Sequence, residues 1–407
     1  MMQDQKRVPK LRFPDFTEEW ESGKIEDYLA RDSVPVDVNP EGIYQEIGVR
    51  SHGRGIFHKE PVSGKALGEK RVFWVHPNAF VLNIVFAWEQ AVALTSDSES
   101  GLIASHRFPM YLPIEGKADL RFVREFFLRA RGRYLLSLAS PGGAGRNKTL
   151  GQSEFAKLNV VSPKILEQGK IAEFLSTVER KIHKLKKKRQ LLTSYKRGAA
   201  QLIFSQKARF KADDGSAFPA WEKKELRDVA HFSKGKGISK ADIHIGGSTK
   251  CIRYGELYTT YGEVIEDVVS TTNEPSSELN LSKRDDVIIP ASGESALDIA
   301  AAACVKEEGV ALGSDLNIIR SEMNGEFLAY LLTNYKRHDI ARLAQGNSVV
   351  HLYASQLGSL MLEIPHICEQ KIIANFMLSI DKKVANLEEQ ISKTESFKEA
   401  LLQRLFV

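Results

Sequence analysis

The chain has 407 residues, enough for two or three domains with separate cores. Its residues are 43% apolar and 27% charged, as in an ordinary globular protein, and a net charge of +5 with a pI near 8.8 permits a nucleic-acid partner without requiring one. The three cysteines, Cys251, Cys304 and Cys368, are odd in number and far apart. That argues against a disulfide framework or a metal knuckle and fits a reducing cytoplasm.

In chain order, residues 1–12 are charged and expected to be loose, and Met1–Lys10 has no apolar signal core. Phe13-Pro14-Asp15-Phe16 follows, then Trp20 and Ile25-Glu26-Asp27-Tyr28-Leu29. Ile43–Val49, Arg71–Val75 and Phe80–Val85 read as strands among Gly, Pro and Asn punctuation, and Leu120–Leu138 as a helix. The most apolar run, Ala79–Leu94, is short and carries Asn83, Glu89 and Gln90, so no membrane span is expected. A glycine-rich loop comes next, Ser140-Pro141-Gly142-Gly143-Ala144-Gly145-Arg146-Asn147-Lys148.

From Lys164 to Lys207 the pattern predicts one long amphipathic helix, opened by Pro163. Apolar residues recur at Ile171, Leu175, Val178, Ile182 and Leu185, spaced by fours and threes, which is a coiled-coil seam. The blander alternative is a helix lying across one domain's core; the length and the seam argue instead for a strut.

The whole pattern then returns. Phe218-Pro219-Ala220-Trp221 and Leu226-Arg227-Asp228-Val229-Ala230 repeat the opening block. Lys250–Tyr254 and Asp286–Pro290 read as strands, Gly325–Ala344 as a helix, and Gln345-Gly346-Asn347-Ser348 as the second loop. Pro163 recurs as Pro365, Phe174 as Phe376 and Phe204 as Phe406, a constant offset of 202. The second seam is Ile373, Met377, Ile380, Val384 and Leu387. An antiparallel pair of these helices brings Lys186, Lys187 and Lys188 near Glu388 and Glu389, the partner-selecting use of flanking charge. The run Lys184, Lys186, Lys187, Lys188 and Arg189 also reads as a DNA stripe or a plain solvated face.

Signals for catalysis are poor. Gly142–Thr149 resembles a phosphate-binding loop, but Asn147 stands where that pattern needs its second glycine. No G-x-S-x-G, H-E-x-x-H or C-x-x-C occurs, nor the Asn-Pro-Pro-aromatic tetrapeptide of adenine methyltransferases, and the ten histidines show no metal-ligand spacing. Basic and aromatic residues among glycines are more suggestive. The first segment has Arg50, His52, Arg54, Arg71, His106 and Arg107, and its loop adds Arg146, Asn147 and Lys148. The second has Lys250, Arg253, Tyr254, Tyr258 and Tyr261, with Gln345, Asn347 and Ser348. Arg and Lys suit phosphates and guanine, Asn and Gln suit adenine. Each singly fits a solvated loop; clusters at matching places in both copies favour DNA contact.

Two unlike globular segments, each followed by a similar long helix, resemble the specificity subunits of type I restriction-modification systems. The resemblance is carried by Pro9-Lys10-Leu11-Arg12-Phe13-Pro14-Asp15-Phe16, Ile252-Arg253-Tyr254-Gly255-Glu256-Leu257-Tyr258, Asp286-Val287-Ile288-Ile289-Pro290-Ala291-Ser292-Gly293-Glu294 and Glu369-Gln370-Lys371-Ile372-Ile373-Ala374. It implies an α/β (α+β) chain with an internal pseudo-twofold repeat: a target-recognition domain over 1–162, a conserved long helix over 163–208, a second target-recognition domain over 209–363 and a distal conserved helix over 364–407. The helices form an antiparallel coiled coil. It further implies that each domain reads half of a split double-stranded DNA target while the helices set the spacer and dock two DNA adenine methyltransferase subunits. S-adenosylmethionine, ATP and Mg would reside in those subunits and in an ATP-dependent restriction and translocation subunit. This chain would hold no cofactor or metal and catalyse nothing. The rival reading is a non-catalytic coiled-coil scaffold with incidental DNA binding.

Overall fold

The computed structural model describes residues 8–142, 148–346 and 350–407. The chain forms two compact units: Met1–Leu185 with Gln390–Val407, and Lys186–Glu389. The units therefore cut across the chain-order segments. The cut falls inside two long continuous helices, Ile165–Phe204 and Ile367–Arg404, here called proximal and distal. At 1.5 Å per residue each is roughly 60 Å long.

In the first unit a four-stranded antiparallel sheet has the order Leu29–Asp32, Met110–Pro113, Phe80–Leu82, Val92–Leu94. Short antiparallel pairs surround it, including Ile47–Val49 with Ile56–His58 and Val72–Trp74 with Ile103–Ser105. The expected strand over 43–49 is thus two pieces, Ile43–Tyr44 and Ile47–Val49. The expected helix over 120–138 is also two, Leu120–Leu128 and Ala130–Leu138, joined at an extended Arg129. Gly132 explains the break: a Cβ there would stand 2.3 Å from the Phe126 carbonyl oxygen, so the second helix turns back onto the first through a contact only glycine allows.

In the second unit a five-stranded sheet runs Ala230–Lys234, Leu316–Ser321, Asp286–Pro290, Ala303–Val305, Val264–Ile265, antiparallel except for its last pair. A three-stranded sheet places Thr249–Ile252 between Ser270–Thr272 and Ala311–Leu312. Here too the expected single helix is a pair, Gly325–Asn334 and Arg337–Leu343.

Although their sheets differ, the two units share a frame residue for residue. In the first, Glu21–Lys24 pairs with Asn159–Ser162; in the second, Glu222–Glu225 pairs with Met361–Ile364. These pairs tie the start of each globular segment to its end, directly before a long helix. One turn into each helix sits a buried Glu-Gln. Glu167 accepts from Arg12 Nε and Nη2 at 2.8 and 2.7 Å, and Glu369 from Arg209 at 3.1 and 2.6 Å. Gln168 Oε1 accepts the Asp119 N–H at 2.9 Å while its Nε2 donates to Pro163 O at 2.8 Å. Gln370 does the same with Asn324 N–H and Pro365 O, each at 2.9 Å. Asp119 and Asn324 are the N-caps of the first helix of each pair, so one glutamine side chain fixes where that helix begins.

Each unit is completed by the far end of the other long helix. Lys398 of the distal helix meets Glu179 of the proximal helix at 2.5 Å in the first unit, and Lys196 of the proximal helix meets Asp381 of the distal helix at 2.6 Å in the second. Lys196 and Lys398 are equivalent under the 202-residue offset, as are Glu179 and Asp381, so the contacts are reciprocal. The helices run antiparallel within each unit. Each unit thus holds the same ion-pairing positions with the roles of the two helices exchanged.

The seam residues do more than pair helices. Ile171, Leu175 and Val178 lie in one buried cluster with Trp20, Phe122, Phe127 and Phe155 of the first unit and with Leu401, Leu405 and Phe406. Ile373 and Met377 lie in a cluster with Trp221, Phe327, Leu328 and Phe204 of the second. The reading of these five as a helix–helix strip is corrected: they are also core of the globular segments, because both packings impose the same three-four spacing. Ile182 packs on the edge of the first cluster, Ile380 and Leu387 are buried, and Leu185 and Val384 are half-buried. Among the described residues no helix is long and apolar enough to cross a membrane.

Candidate nucleic-acid interface

In the first unit the hairpin Ile47–Val49/Ile56–His58 presents the loop 50–55 with Arg50, His52 and Arg54 exposed. His52, Gly53 and Gly55 are left-handed, with φ of 59°, 63° and 79°. The strained loop is held from below: His52 N–H donates to Glu89 O at 2.8 Å, Gly53 N–H to Gln90 O at 3.0 Å, and Ser51 Oγ to Glu89 Oε2 at 2.9 Å. Gln90 is anchored in turn by Nε2 donating to Phe127 O and Arg129 O, at 3.0 and 3.2 Å across the helix break. The Arg50 guanidinium lies 4.8 Å from the Phe57 ring, which occupies the space a side chain at Gly48 would need.

Lys148, at the end of the glycine-rich loop, places its ammonium 5.8 Å from the Trp88 ring. Trp88 belongs to the turn that holds the 50–55 loop, so that turn brings Lys148 and the Arg50–Arg54 loop to one region. Arg146 and Asn147 lie outside the described residues. Arg71 and His106 are exposed neighbours, His106 N–H donating to Arg71 O at 3.3 Å.

Below the hairpin Glu99 is buried. It accepts from His58 Nε2 at 2.9 Å and from Ser96 N–H, Ser96 Oγ and Ser98 Oγ, each at 2.8 Å. Burial pushes this carboxyl up, but the bonds from Ser98, His58 and Ser96 together outweigh it and hold it at about 2, against an ordinary 4.5. A depressed carboxyl adds stability above its unfolded pKa and loses it as pH falls toward the folded one. Glu99→Gln is expected to remove on the order of 3 kcal/mol at neutral pH and to flatten the loss of stability between pH 5 and 2. Urea midpoints measured across that range check this; a variant as acid-sensitive as wild type would refute it.

In the second unit the predicted residues lie beside carboxylates, one distant in sequence and one three residues away. Lys250 Nζ meets Glu307 Oε2 at 2.7 Å. The Arg253 guanidinium stands 3.9 Å from Glu256 Oε1, and its Nε is buried without a partner. Glu256 also accepts the Arg253 N–H at 2.7 Å and the Ser270 hydroxyl. A phosphate reaching Lys250 would have to displace Glu307. Tyr254 and Tyr258 tilt together with ring centroids 6.4 Å apart, and Tyr258 is exposed.

Gln345 exchanges both main-chain bonds with His351, at 2.9 and 2.7 Å, closing the second loop; Asn347 and Ser348 lie outside the described residues. At the loop's exit His351 and Tyr353 lie nearly parallel, 6.3 Å and 21° apart, with the Lys234 ammonium 5.9 Å from the Tyr353 ring. This trio was not singled out from the sequence. The available signal was the alternation His351-Leu352-Tyr353, exposed-buried-exposed, beside the glycine loop. Both loops thus end at a lysine and an aromatic ring, though from different residues.

Cys251 and Cys304 are buried, and burial pushes both thiols up, Cys251 to about 11, so neither is a thiolate at neutral pH. In the second unit Lys196 lies between Glu263, at 2.9 Å, and Asp381. Burial raises both carboxyls; Lys196 and Asn334 outweigh it at Glu263, whereas Asp381 stays raised, with Glu263 adding to the effect.

The fold and its surfaces define a class: a duplicated two-helix frame carrying two globular heads with different cationic and aromatic faces. Residues 220–395 match the family model for the type I restriction modification DNA specificity domain. Over 270 residues the chain is 22% identical to the type I restriction enzyme MjaVIII specificity subunit of Methanocaldococcus jannaschii, covering 62% of each. The chain spans about three-fifths of the length of the curated relatives it matches. The fold is that of the type I restriction-modification S subunit from M. genitalium, with a TM-score of 0.61 at 16% identity over 98% of this chain and 99% of that one. A structure described in work on complex assembly and conformational transition of the type I R-M system gives a TM-score of 0.54 at 15% identity over 95% and 96% of the two chains. The specificity-domain match falls on the second globular segment and most of the distal helix, residues 220–395.

Proposed function

We propose that this chain is the DNA-recognition subunit of a type I restriction-modification complex. Each head reads one half of a bipartite duplex target. The helices set the unread spacer and dock two adenine methyltransferase subunits, and an ATP-dependent restriction subunit joins that complex in the cytoplasm. The observation that carries this reading is the frame: Trp20 and Trp221, Glu167 and Glu369, and Gln168 and Gln370 are kept in place in both units while the loops they support differ. A constant frame with variable surfaces fits two equivalent docking sites for an identical partner and two unlike DNA half-sites.

The chemistry follows from division of labour. S-adenosylmethionine, ATP and Mg belong to partner subunits, and methylation uses a base turned out of the duplex. This chain's part is positional. Arg50, His52, Arg54 and Lys148 face one half-site, and Lys250, Arg253, Tyr254, Tyr258 and Gln345 the other, with Arg146, Asn147, Asn347 and Ser348 in the adjoining loops. Phosphate contacts set register and base-edge contacts set sequence.

Charge reversal tests the reading. Arg50→Glu, and separately Lys250→Glu with Arg253→Glu, are expected to weaken binding of the full chain to its methylated genomic target at least tenfold each, with methyltransferase association kept. Unchanged DNA binding would favour the scaffold reading. A footprint that is one short continuous site, without a tolerant gap, would count against two half-site readers.

A further inference from the structure

The middle of the proximal helix carries Arg180, Lys181, Lys184, Lys186, Lys187, Lys188 and Arg189 within ten residues. These cations divide between two faces. Arg189 meets Glu388 at 3.7 Å, and neither Lys186 nor Glu389 is free. At 3.6 residues per turn Lys186 and Arg189 fall on the side of the seam, so they serve helix pairing.

The other five fall away from the seam, with Lys181 nearest to it, beside Lys393 and Phe397 of the distal helix. The helical neighbours of Lys184 at three and four residues' distance are Arg180, Lys181, Lys187 and Lys188, every one a cation and every one exposed. Among the described residues, Lys181, Lys184, Lys187 and Lys188 have no carboxylate within ion-pair distance. Among the described residues Arg180 donates to Thr177 Oγ1, at 2.9 Å, and meets no carboxylate. Like charges at these spacings repel and weaken a helix. The counterpart positions on the distal helix are Lys382, Lys383, Asn386, Glu389 and Gln390, mixed in charge, and Lys382 meets Glu266 at 3.0 Å. The repeat has kept the seam and not this patch.

We propose that Arg180, Lys181, Lys184, Lys187 and Lys188 form a stripe that holds the phosphate backbone of duplex DNA without reading bases. The inference rests on the DNA-recognition reading above and gives the proximal helix a second task. The stripe is roughly 12 Å long, a length over which a duplex presents about seven phosphate charges. A rigid helix holds its cations in register without a loop to order on binding, and such contacts add affinity equally on every sequence.

The test is the salt dependence of binding by the full chain to a duplex of mixed sequence, for wild type and for the triple variant Lys184→Gln, Lys187→Gln, Lys188→Gln. Each lost phosphate contact lowers the slope of log K against log salt by about 0.9, so the triple variant should be shallower by two to three units. Its thermal midpoint should not fall, since the substitutions relieve repulsion; this separates the effect from misfolding. A wild-type slope in the triple variant overturns the stripe and leaves the recognition reading intact. The same slope with weakened methyltransferase association also overturns it and makes the patch a protein-docking face. No DNA binding by wild type itself would overturn both.

Discussion

Glu369→Ala should destabilise the second unit by about 3–5 kcal/mol, because it leaves charged and polar groups buried without their acceptor. The Glu369 carboxylate is fully shielded from solvent and receives three donors: Arg209 Nε and Nη2 at 3.1 and 2.6 Å, and the Trp221 indole N–H at 3.0 Å. Glu369→Gln keeps an acceptor for Trp221 and should cost less. The equivalent Glu167→Ala is also expected to cost less, by about 1 kcal/mol, since among the described residues it lacks the indole donor: the Trp20 N–H has no acceptor to lose. Urea titrations followed by tryptophan emission would rank the three variants. A Glu369→Ala midpoint equal to wild type would show that the buried pair contributes little.

Phe406→Ala is the second large effect expected, about 3–5 kcal/mol on the first unit. The ring stacks on Phe122 at 5.0 Å and meets Trp20 edge-on at 6.3 Å. Its other neighbour is Arg129, whose guanidinium lies 4.4 Å from the ring and is pushed down by burial to about 10. Truncation therefore opens a cavity and removes the aromatic face that this poorly partnered cation rests against. Phe204, which meets Phe327 edge-on at 5.9 Å, is its equivalent in the second unit, and Phe204→Ala should act there alone. Calorimetry showing each variant lowering only its own transition would bear this out; a shared shift would mean the units unfold together.

Much of the frame was legible in the sequence because it is stated twice. The 202-residue offset pairs Glu-Gln turns and terminal phenylalanines without any structural input, and the Trp-bearing openings recur at nearly the same interval. What the seam packs against was not legible: Ile171 and Leu175 keep the same three-four spacing whether they face a helix or the core around Trp20. The helix breaks at Arg129 and near Tyr335 also escaped, since neither place has a proline and the cause at Gly132 is a tertiary close approach. For the candidate interface, residue type marked Lys250 and Arg253, but the carboxylate beside Lys250 is brought there by folding; Glu307 is 57 residues from Lys250. Lys234 and Tyr353 meet across more than a hundred residues, a pairing no local pattern announces.

The reciprocal construction also bears on how the chain is made. The first globular segment leaves the ribosome early, yet its core includes Leu401, Leu405 and Phe406, and Leu11 N–H donates to Arg404 O at 2.8 Å. At about 5–20 residues per second, Trp20 and Phe122 wait tens of seconds for the ring that covers them. Early synthesis thus yields a head with an open apolar side, and closure comes only with the last turns of the distal helix. Contacts so distant along the chain slow folding and keep that apolar side exposed until the distal helix has been made.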